Sequence, residues 1–351
     1  MKILVLPGDG IGPEITTATL AVLDRANAKF GLGLDWQIEE IGLAALTKHG
    51  STLPERVMEI ARKAPGIVLG PVDHLRYPPR EEGGINPSGE LRVKLDLFAN
   101  IRPAKSRMGA GLTGKPVDLV IFRECTEGFY ADRNMFLGRG EFMPTEDVAI
   151  AVRKVTARQC SRIARVAFEW ARRRRRKVTA VHKANVLHIS DGLFLREVRK
   201  VARDYPDVEL DEKIVDAMAA LLVRDPSRFD CIVTGNMFGD ILSDEASELS
   251  GSLGLAGSTM AGDDACCAQA QHGSAPDIQG QDRANPTSLI LSAAMLLEWL
   301  SERHQRPELA RAAKAVEAAI DALLQRPDSR TPDLGGTLGT QAFAGAVAAR
   351  L

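Results

Sequence analysis

Short apolar runs alternate with amphipathic stretches along most of this chain, and that alternation limits the available folds more than any other feature. The runs lie at Lys2–Leu6, 66–70, 118–123, 178–181 and Cys231–Thr234. Helix-patterned stretches at 14–30, 158–173, 192–202 and 236–248 separate them. A strand, an amphipathic helix and a second strand in succession read as a parallel crossover, with helices covering both faces of a sheet. The expected class is therefore α/β with a largely parallel sheet. At 351 residues the chain exceeds the size at which one core divides, so two domains are expected. Beyond residue 285 the pattern changes to helices rich in Ala and Leu, at 286–303, 307–325 and 341–351. Stretches 73–89, 132–145 and 261–285 are dense in Gly, Pro and charge and read as loops.

Composition removes several functions. A formal net charge of -1 provides no global field toward nucleic acid or membrane. No run approaches the roughly 20 apolar residues of a membrane span. The first apolar run stops at Pro7-Gly8, too soon for a secretory signal. The five cysteines, at 125, 160, 231, 266 and 267, form no CxxC, which suits a reducing cytoplasm. Adjacent Cys266 and Cys267 read as two reduced thiols in a loop. The basic run at 172–177 closes a helical pattern, where cations complement the helix dipole. It lacks interleaved aromatics and reads as surface, so no nucleic-acid partner is expected.

Chemistry concentrates elsewhere. In Gly235-Asn236-Met237-Phe238-Gly239-Asp240-Ile241-Leu242-Ser243-Asp244-Glu245, two carboxylates stand four residues apart just after an apolar run. On a helix, Asp240 and Asp244 would stack on one face, about 5–6 Å apart at Cβ, able to share a hard divalent cation. The alternative is a solvated helix face. Gly8-Asp9-Gly10-Ile11-Gly12-Pro13-Glu14 fails as a dinucleotide fingerprint because its third glycine comes one residue early. It works as a tight turn with Pro13 at a helix start. Arg92, Arg102 and Arg123 each lie on or beside apolar sequence, costly for a guanidinium unless it meets an anion. Their planar forks suit a substrate with more than one carboxylate, or else internal ion pairs.

Taken together, residues 8–14, 99–105, His182-Lys183-Ala184-Asn185-Val186-Leu187, Val215-Asp216-Ala217-Met218, 234–245 and 272–285 resemble the β-decarboxylating dehydrogenase family. This is the isocitrate/isopropylmalate dehydrogenase family, and the chain is most similar to its 3-isopropylmalate branch in residues 96–105 and 238–247. The resemblance implies a three-layer α/β/α fold that is not a Rossmann fold, with the active cleft between two domains. The cofactor-binding domain would comprise 1–98 plus 252–351, and 99–251 would carry the dimer interface and a clasp arm near 142–154. It also implies NAD, with Mg2+ or Mn2+, and a homodimer with shared sites acting on a hydroxy-dicarboxylate or tricarboxylate. Arg92, Arg102 and Arg123 would hold the carboxylates. Asp240 and Asp244, with Asp216 from the second subunit, would ligate the metal. Lys183 would be the general base, tuned by Asp216, and Tyr130 the acid that protonates the enol. His272, Gly273, Ser274, Ala275, Asp277 and Ile278 would hold the adenosine half, Asn285 the adenine edge and Asn185 the nicotinamide side. An acidic Asp277 favours a free ribose 2′-hydroxyl, hence NAD.

Two departures bear on the substrate. Isopropylmalate enzymes place a glutamate and paired leucines before the first arginine, whereas this chain has Ile85-Asn86-Pro87-Ser88-Gly89-Glu90. Asn86 or Ser88 would suit a polar substituent, and an isopropyl group would forfeit about 1–2 kcal/mol of discrimination. The Thr126-Glu127-Gly128 step also resembles the isocitrate and tartrate branches. In addition, Ala268-Gln269-Ala270-Gln271 stands where relatives carry a Glu-Pro-Val-like step. The rival of another class is a non-catalytic relative that senses a dicarboxylate, but such a chain should have lost the base, the acid or a metal ligand.

Overall fold

From Ile3 to Leu6 every side chain of the first strand is buried, as a strand covered by helices on both faces requires. The computed structural model of the chain describes residues 1–109, 111–130, 135 and 140–351. Its strands are β1 (Lys2–Leu6), β2 (Asp35–Ile38), β3 (Gly66–Leu69), β4 (Ala99–Lys105), β5 (Asp118–Glu124), β6 (Glu141–Thr145), β7 (Val148–Ala151), β8 (Lys177–His182), β9 (Glu209–Ile214), β10 (Cys231–Thr234), β11 (Thr259–Ala261) and β12 (Cys266–Gln269). The α-helices are α1 (Gly12–Phe30), α2 (Gly42–His49), α3 (Glu55–Ala61), α4 (Pro87–Lys94), α5 (Ala157–Arg172), α6 (Ser190–Ala202), α7 (Val215–Arg224), α8 (Asn236–Ser250), α9 (Thr287–His304), α10 (Pro307–Leu324) and α11 (Thr340–Ala348). Two compact units result, Met1–Leu91 with Ser252–Leu351, and Arg92–Gly251. Residues 92–98, expected with the first domain, fall in the second unit.

In the first unit the strand order is β2-β1-β3-β12-β11. β1 runs parallel to β2 and β3, and Leu4, Val5 and Leu6 face Ile67, Val68 and Leu69 in register. β12 adds to β3 in parallel and β11 pairs antiparallel with it. The stretch 261–285 is therefore not all loop. Cys266, Cys267 and Ala268 are buried strand residues, and both thiols are reduced. Their small side chains lack the β-branched signature of a strand, and pairing with β3 supplies what local propensity does not. α1 starts with Pro13 in its first turn and ends on Gly31 in the left-handed region, at φ 65°, where a glycine costs least.

The second unit has the order β4-β5-β10-β8-β9. β10 lies parallel to both β5 and β8, and β8 to β9. β4 pairs antiparallel with β5 along its whole length, from Ala99↔Glu124 to Lys105↔Asp118, so this sheet is mixed. Leu119, Ile121, Val181, Ile232 and Phe229 from the sheet side bury against Met218, Leu222, Leu242 and Ala246 of α7 and α8. Against β5, Phe122 meets Trp170 of α5 edge-on at 5.7 Å. The basic run at the end of α5 is spent within the unit: Arg174 Nε reaches the fully buried Asp230 at 2.7 Å, and Arg172 pairs with Asp207.

β6 and β7 form an antiparallel hairpin whose residues are all exposed. The reading of 132–145 as loop is corrected at Glu141–Thr145, which is β6; residues 131–134 and 136–139 lie outside the described part. Among the described residues no helix is long and apolar enough to cross a membrane.

Candidate active site

The expected charged residues converge at the carboxyl ends of β5 and β10 in the second unit. Gly235 ends the turn after β10 in an extended conformation and starts α8. The helix then sets Asp240 and Asp244 one turn apart on one face. Beneath them lies Arg123, 2% exposed, at the end of β5. Its Nε and Nη2 donate to Asn236 Oδ1 at 3.0 and 2.6 Å, and its Nη1 pairs with Asp240. Arg102 on β4 donates from Nη1 to Asp240 and Asp244 at 3.1 Å each, and to Ser243 Oγ at 2.7 Å. Gly239 permits this approach, since a Cβ there would stand 2.7 Å from Arg123 Cβ and Cγ.

Burial is the main influence holding both guanidinium pKa values below the usual range. Arg102 and Arg92 add to that effect on Arg123, and Asp240 opposes it. Arginine still remains charged at any physiological pH, so three cations stand close together, answered by two carboxylates. Those carboxylates lie at the mouth, their side chains 35% and 51% exposed. Arg102 Nε is buried with no partner among the described residues. A buried donor of this kind suits an arriving carboxylate. Tyr130 completes the group: its hydroxyl is 3.5 Å from Asp240 Oδ2 and its ring lies 5.9 Å from the Arg123 guanidinium carbon.

Lys183 and Asp216 form a second group. Lys183 follows β8, Asp216 occupies the first turn of α7, and Lys183 Nζ pairs with Asp216 Oδ1. That hydrogen bond is the main reason the Asp216 carboxyl sits below the ordinary range. Among the described residues no three carboxylate, His or Cys side chains gather where they could hold a metal ion. One chain thus brings Asp240 and Asp244 together but does not add Asp216. Two oxygen-donor carboxylates, half open to solvent, fit a hard divalent ion that lacks its remaining ligands.

In the first unit, the segment before Arg92 is engaged within the protein. Asn86 Oδ1 accepts from Gly89 N at 3.2 Å, capping α4, and Ser88 Oγ donates to Gln269 Oε1 at 2.8 Å. Ser88 is buried. The two departures noted in the sequence therefore touch each other.

The loop expected to bind cofactor leans on the amino-terminal glycine turn. Ile11 N donates to Ser274 O at 2.8 Å, and a Cβ at Gly10 would lie 2.0 Å from that oxygen. Ala275 adopts φ +36°, and Pro276–Ile278 forms a short 3₁₀ turn. Asp277 is exposed, and its carboxylate meets no side-chain or backbone donor among the described residues. His272 bonds Gly273 O through Nδ1 at 3.0 Å, while its buried Nε2 has no partner among the described residues. Burial lowers its pKa, so a neutral ring presents an open acceptor. Asn285 Oδ1 accepts from Thr287 N, the first residue of α9, and its Nδ2 donates to Asp333 Oδ2, each at 3.0 Å. Gly273 and Asn185 are exposed. Orphaned polar atoms and exposed backbone of this kind fit a dinucleotide.

A model of the isocitrate/isopropylmalate dehydrogenase family matches residues 2–347. The chain belongs to that family. Among relatives of this isocitrate/isopropylmalate dehydrogenase-family chain, a 3-isopropylmalate dehydrogenase of Saccharolobus solfataricus is 41% identical over 96% of this chain and 95% of that protein. An isocitrate/homoisocitrate dehydrogenase of Thermus thermophilus is 43% identical, covering 99% and 97%. The crystal structure of isocitrate dehydrogenase from Methylococcus capsulatus superposes with a TM-score of 0.88 at 40% identity, covering 99% of this chain and 98% of that one. The fold and the dehydrogenase class of this family member follow. Sequence reading gave no role to Asn236, Ser243, Gln269 or Asp191; Asn236, Ser243 and Gln269 bond residues more than 100 positions away, and Asp191 bonds Lys183 N, eight positions away, and Arg153. Asn236 and Ser243 lie within the 235–245 motif and Gln269 within the unusual 268–271 step, whereas Asp191 carried no signal.

Proposed function

We propose that the protein catalyses the NAD-dependent, divalent-metal-assisted oxidative decarboxylation of a (2R)-malate-type 2-hydroxy acid, as a 3-isopropylmalate dehydrogenase-like enzyme. The observation that carries this reading is the knot of buried Arg102 and Arg123 beneath the half-exposed Asp240 and Asp244. Arg92, Arg102 and Arg123 would bind the substrate carboxylates, Arg102 through the Nε that lacks a partner among the described residues. Asp240 and Asp244, with Asp216 of a second subunit, would hold Mg2+ or Mn2+. Such an ion, when bound, polarises the C2 oxygen and offsets negative charge as the carboxylate leaves. NAD, held by residues 272–278 with Asn285 and Asn185, supplies the hydride acceptor, and Asp277 favours it over its 2′-phosphorylated form.

The proton steps belong to the chain. Lys183 would take the C2 hydroxyl proton, assisted by Asp216, and Tyr130 would deliver a proton to the enol carbon once CO2 has left. Because Lys183 pairs with Asp216 rather than approaching Asp240, the complete site calls for two subunits. The hairpin supports a homodimer: Phe142, Met143, Val148 and Ile150 are exposed on it, and an isolated two-stranded hairpin is marginal in water. Five buried cysteines outside any disulfide are in keeping with a reducing cytoplasm.

A second reading of the substrate has its own support. Ser88 and Gln269 join as a polar pair one helical turn from Arg92, where an isopropyl group would want apolar surface. That favours isocitrate, homoisocitrate, tartrate or D-malate. NAD reduction with Mg2+ or Mn2+ across these four and 3-isopropylmalate decides. A best kcat/KM for 3-isopropylmalate upholds the first reading, and a polar malate upholds the second. NAD binding without turnover of any would point to a non-catalytic dicarboxylate sensor.

A further inference from the structure

Lys183 is held more firmly than its position just past a strand requires. Its backbone N–H donates to Asp191 Oδ2 at 2.5 Å, and its carbonyl accepts from Val186 N and Leu187 N at 3.0 and 2.8 Å. Its backbone is thus held on both sides, and its side chain pairs with Asp216. Asp191 sits in the first turn of α6 and is 2% exposed. A carboxylate so buried needs a partner, and Arg153 Nη1 supplies it at 2.6 Å while also donating to Ser190 Oγ at 2.8 Å. Arg153 is itself fixed, its guanidinium carbon 5.9 Å from the Phe129 ring and 5.7 Å from that of Phe238. It also lies at the root of the exposed hairpin. Next to it, Lys154 exchanges both backbone hydrogen bonds with Gly128, and Thr156 is held by the Glu127 carboxylate.

We infer that Asp191 is a positioning residue for Lys183, and that Arg153 ties this support to the root of the β6–β7 hairpin. The inference rests on Lys183 acting as the base. Asp191 touches no reacting group; it fixes the height and direction from which the lysine side chain leaves the backbone. A misplacement of about 1 Å at a catalytic group can cost roughly 100-fold in rate. Ion pairing between Asp191 and Arg153 would carry any shift of the hairpin root to the lysine.

The test compares steady-state kinetics of Lys183→Ala, Asp191→Asn, the double variant and Arg153→Lys, using whichever malate turns over in the panel above. Asp191→Asn should lower kcat about 100-fold while KM for NAD stays within about twofold. In the Lys183→Ala background the same change should cost nothing further, because residues that act as one unit are not additive. Arg153→Lys keeps the buried charge paired and the fold intact, and should show a smaller loss confined to kcat. An Asp191→Asn loss repeated in full on top of Lys183→Ala would overturn the proposal, as would wild-type kcat in Arg153→Lys. Wild-type turnover by Lys183→Ala would instead remove the base itself, and the positioning role with it.

Discussion

Gly239→Ala is the sharpest probe of how the acidic helix meets the arginines. The added Cβ would stand 2.7 Å from Arg123 Cβ and Cγ and 3.2 Å from its Cα, and one of those contacts is backbone. Overpacking of this kind costs about 1–3 kcal/mol. Alanine returns about 0.8–1.0 kcal/mol of helix propensity, leaving a net loss of about 0–2 kcal/mol. For a unit this size each kcal/mol lowers Tm by about 2–4 °C, so a fall of up to about 8 °C is expected. The displaced Arg123 would also strain its bonds to Asn236 and Asp240. Loss of about 1.4 kcal/mol of substrate interaction means about tenfold in kcat/KM. Gly345→Ala in α11 is the control: its Cβ would meet nothing within 4 Å, so Tm should hold or rise. Calorimetry and substrate titration on both variants isolate the packing cost. A Gly239→Ala protein as stable and as active as Gly345→Ala would refute the claim that α8 rests directly on Arg123.

Three further outcomes are expected. Asp277→Lys should lower kcat/KM for NAD by about tenfold or more and narrow the preference over NADP, read from initial rates with each cofactor. Burial pushes the Glu245 carboxyl up to about 7; a folded-state value above the unfolded one adds stability that is complete below about pH 4.5 and is lost as pH rises through 7. Glu245→Gln should therefore raise Tm relative to the parent at pH 8 and leave the difference absent at pH 4.5, and the opposite ordering in thermal melts would refute this. Phe142→Glu on the exposed hairpin should weaken self-association in sedimentation equilibrium and lower specific activity at dilute protein, whereas an unchanged association constant would detach the hairpin from the dimer.

Much of the fold was legible where burial and period agree. β1 and β10 fall where their apolar runs lie, because a doubly covered parallel strand must be apolar throughout. β12 escaped because Cys, Cys, Ala and Gln carry no strand signature, and only its registry with Gly66–Leu69 makes it one. The hairpin escaped for the opposite reason: β6 and β7 face solvent, so no alternation was imposed on them. Within the site, Asp240 and Asp244 were legible from helical spacing, and Arg102 and Arg123 from the cost of guanidinium groups in apolar sequence. The roles of Asp191 and Asn236 were not, since neither the loop that returns Asp191 to Lys183 N nor the distance from Asn236 to Arg123 leaves a pattern in the sequence. That Asn86 caps α4 and that Ser88 bonds Gln269 were likewise not legible in the polar character of 86–90.

The contact between Gly10 and Ser274 makes one working part from two distant pieces of chain. Neither can be exchanged alone: a relative's residues 272–278, grafted here to change cofactor, would have to seat against a turn shaped for another loop. Any side chain at position 10 would lodge against the Ser274 carbonyl and, on the proposed reading of 272–278 as the cofactor loop, surface as a dinucleotide-binding defect, though nothing at position 10 need touch the dinucleotide. Grafts that carry residues 8–12 along with 272–278 should succeed where single-segment grafts fail.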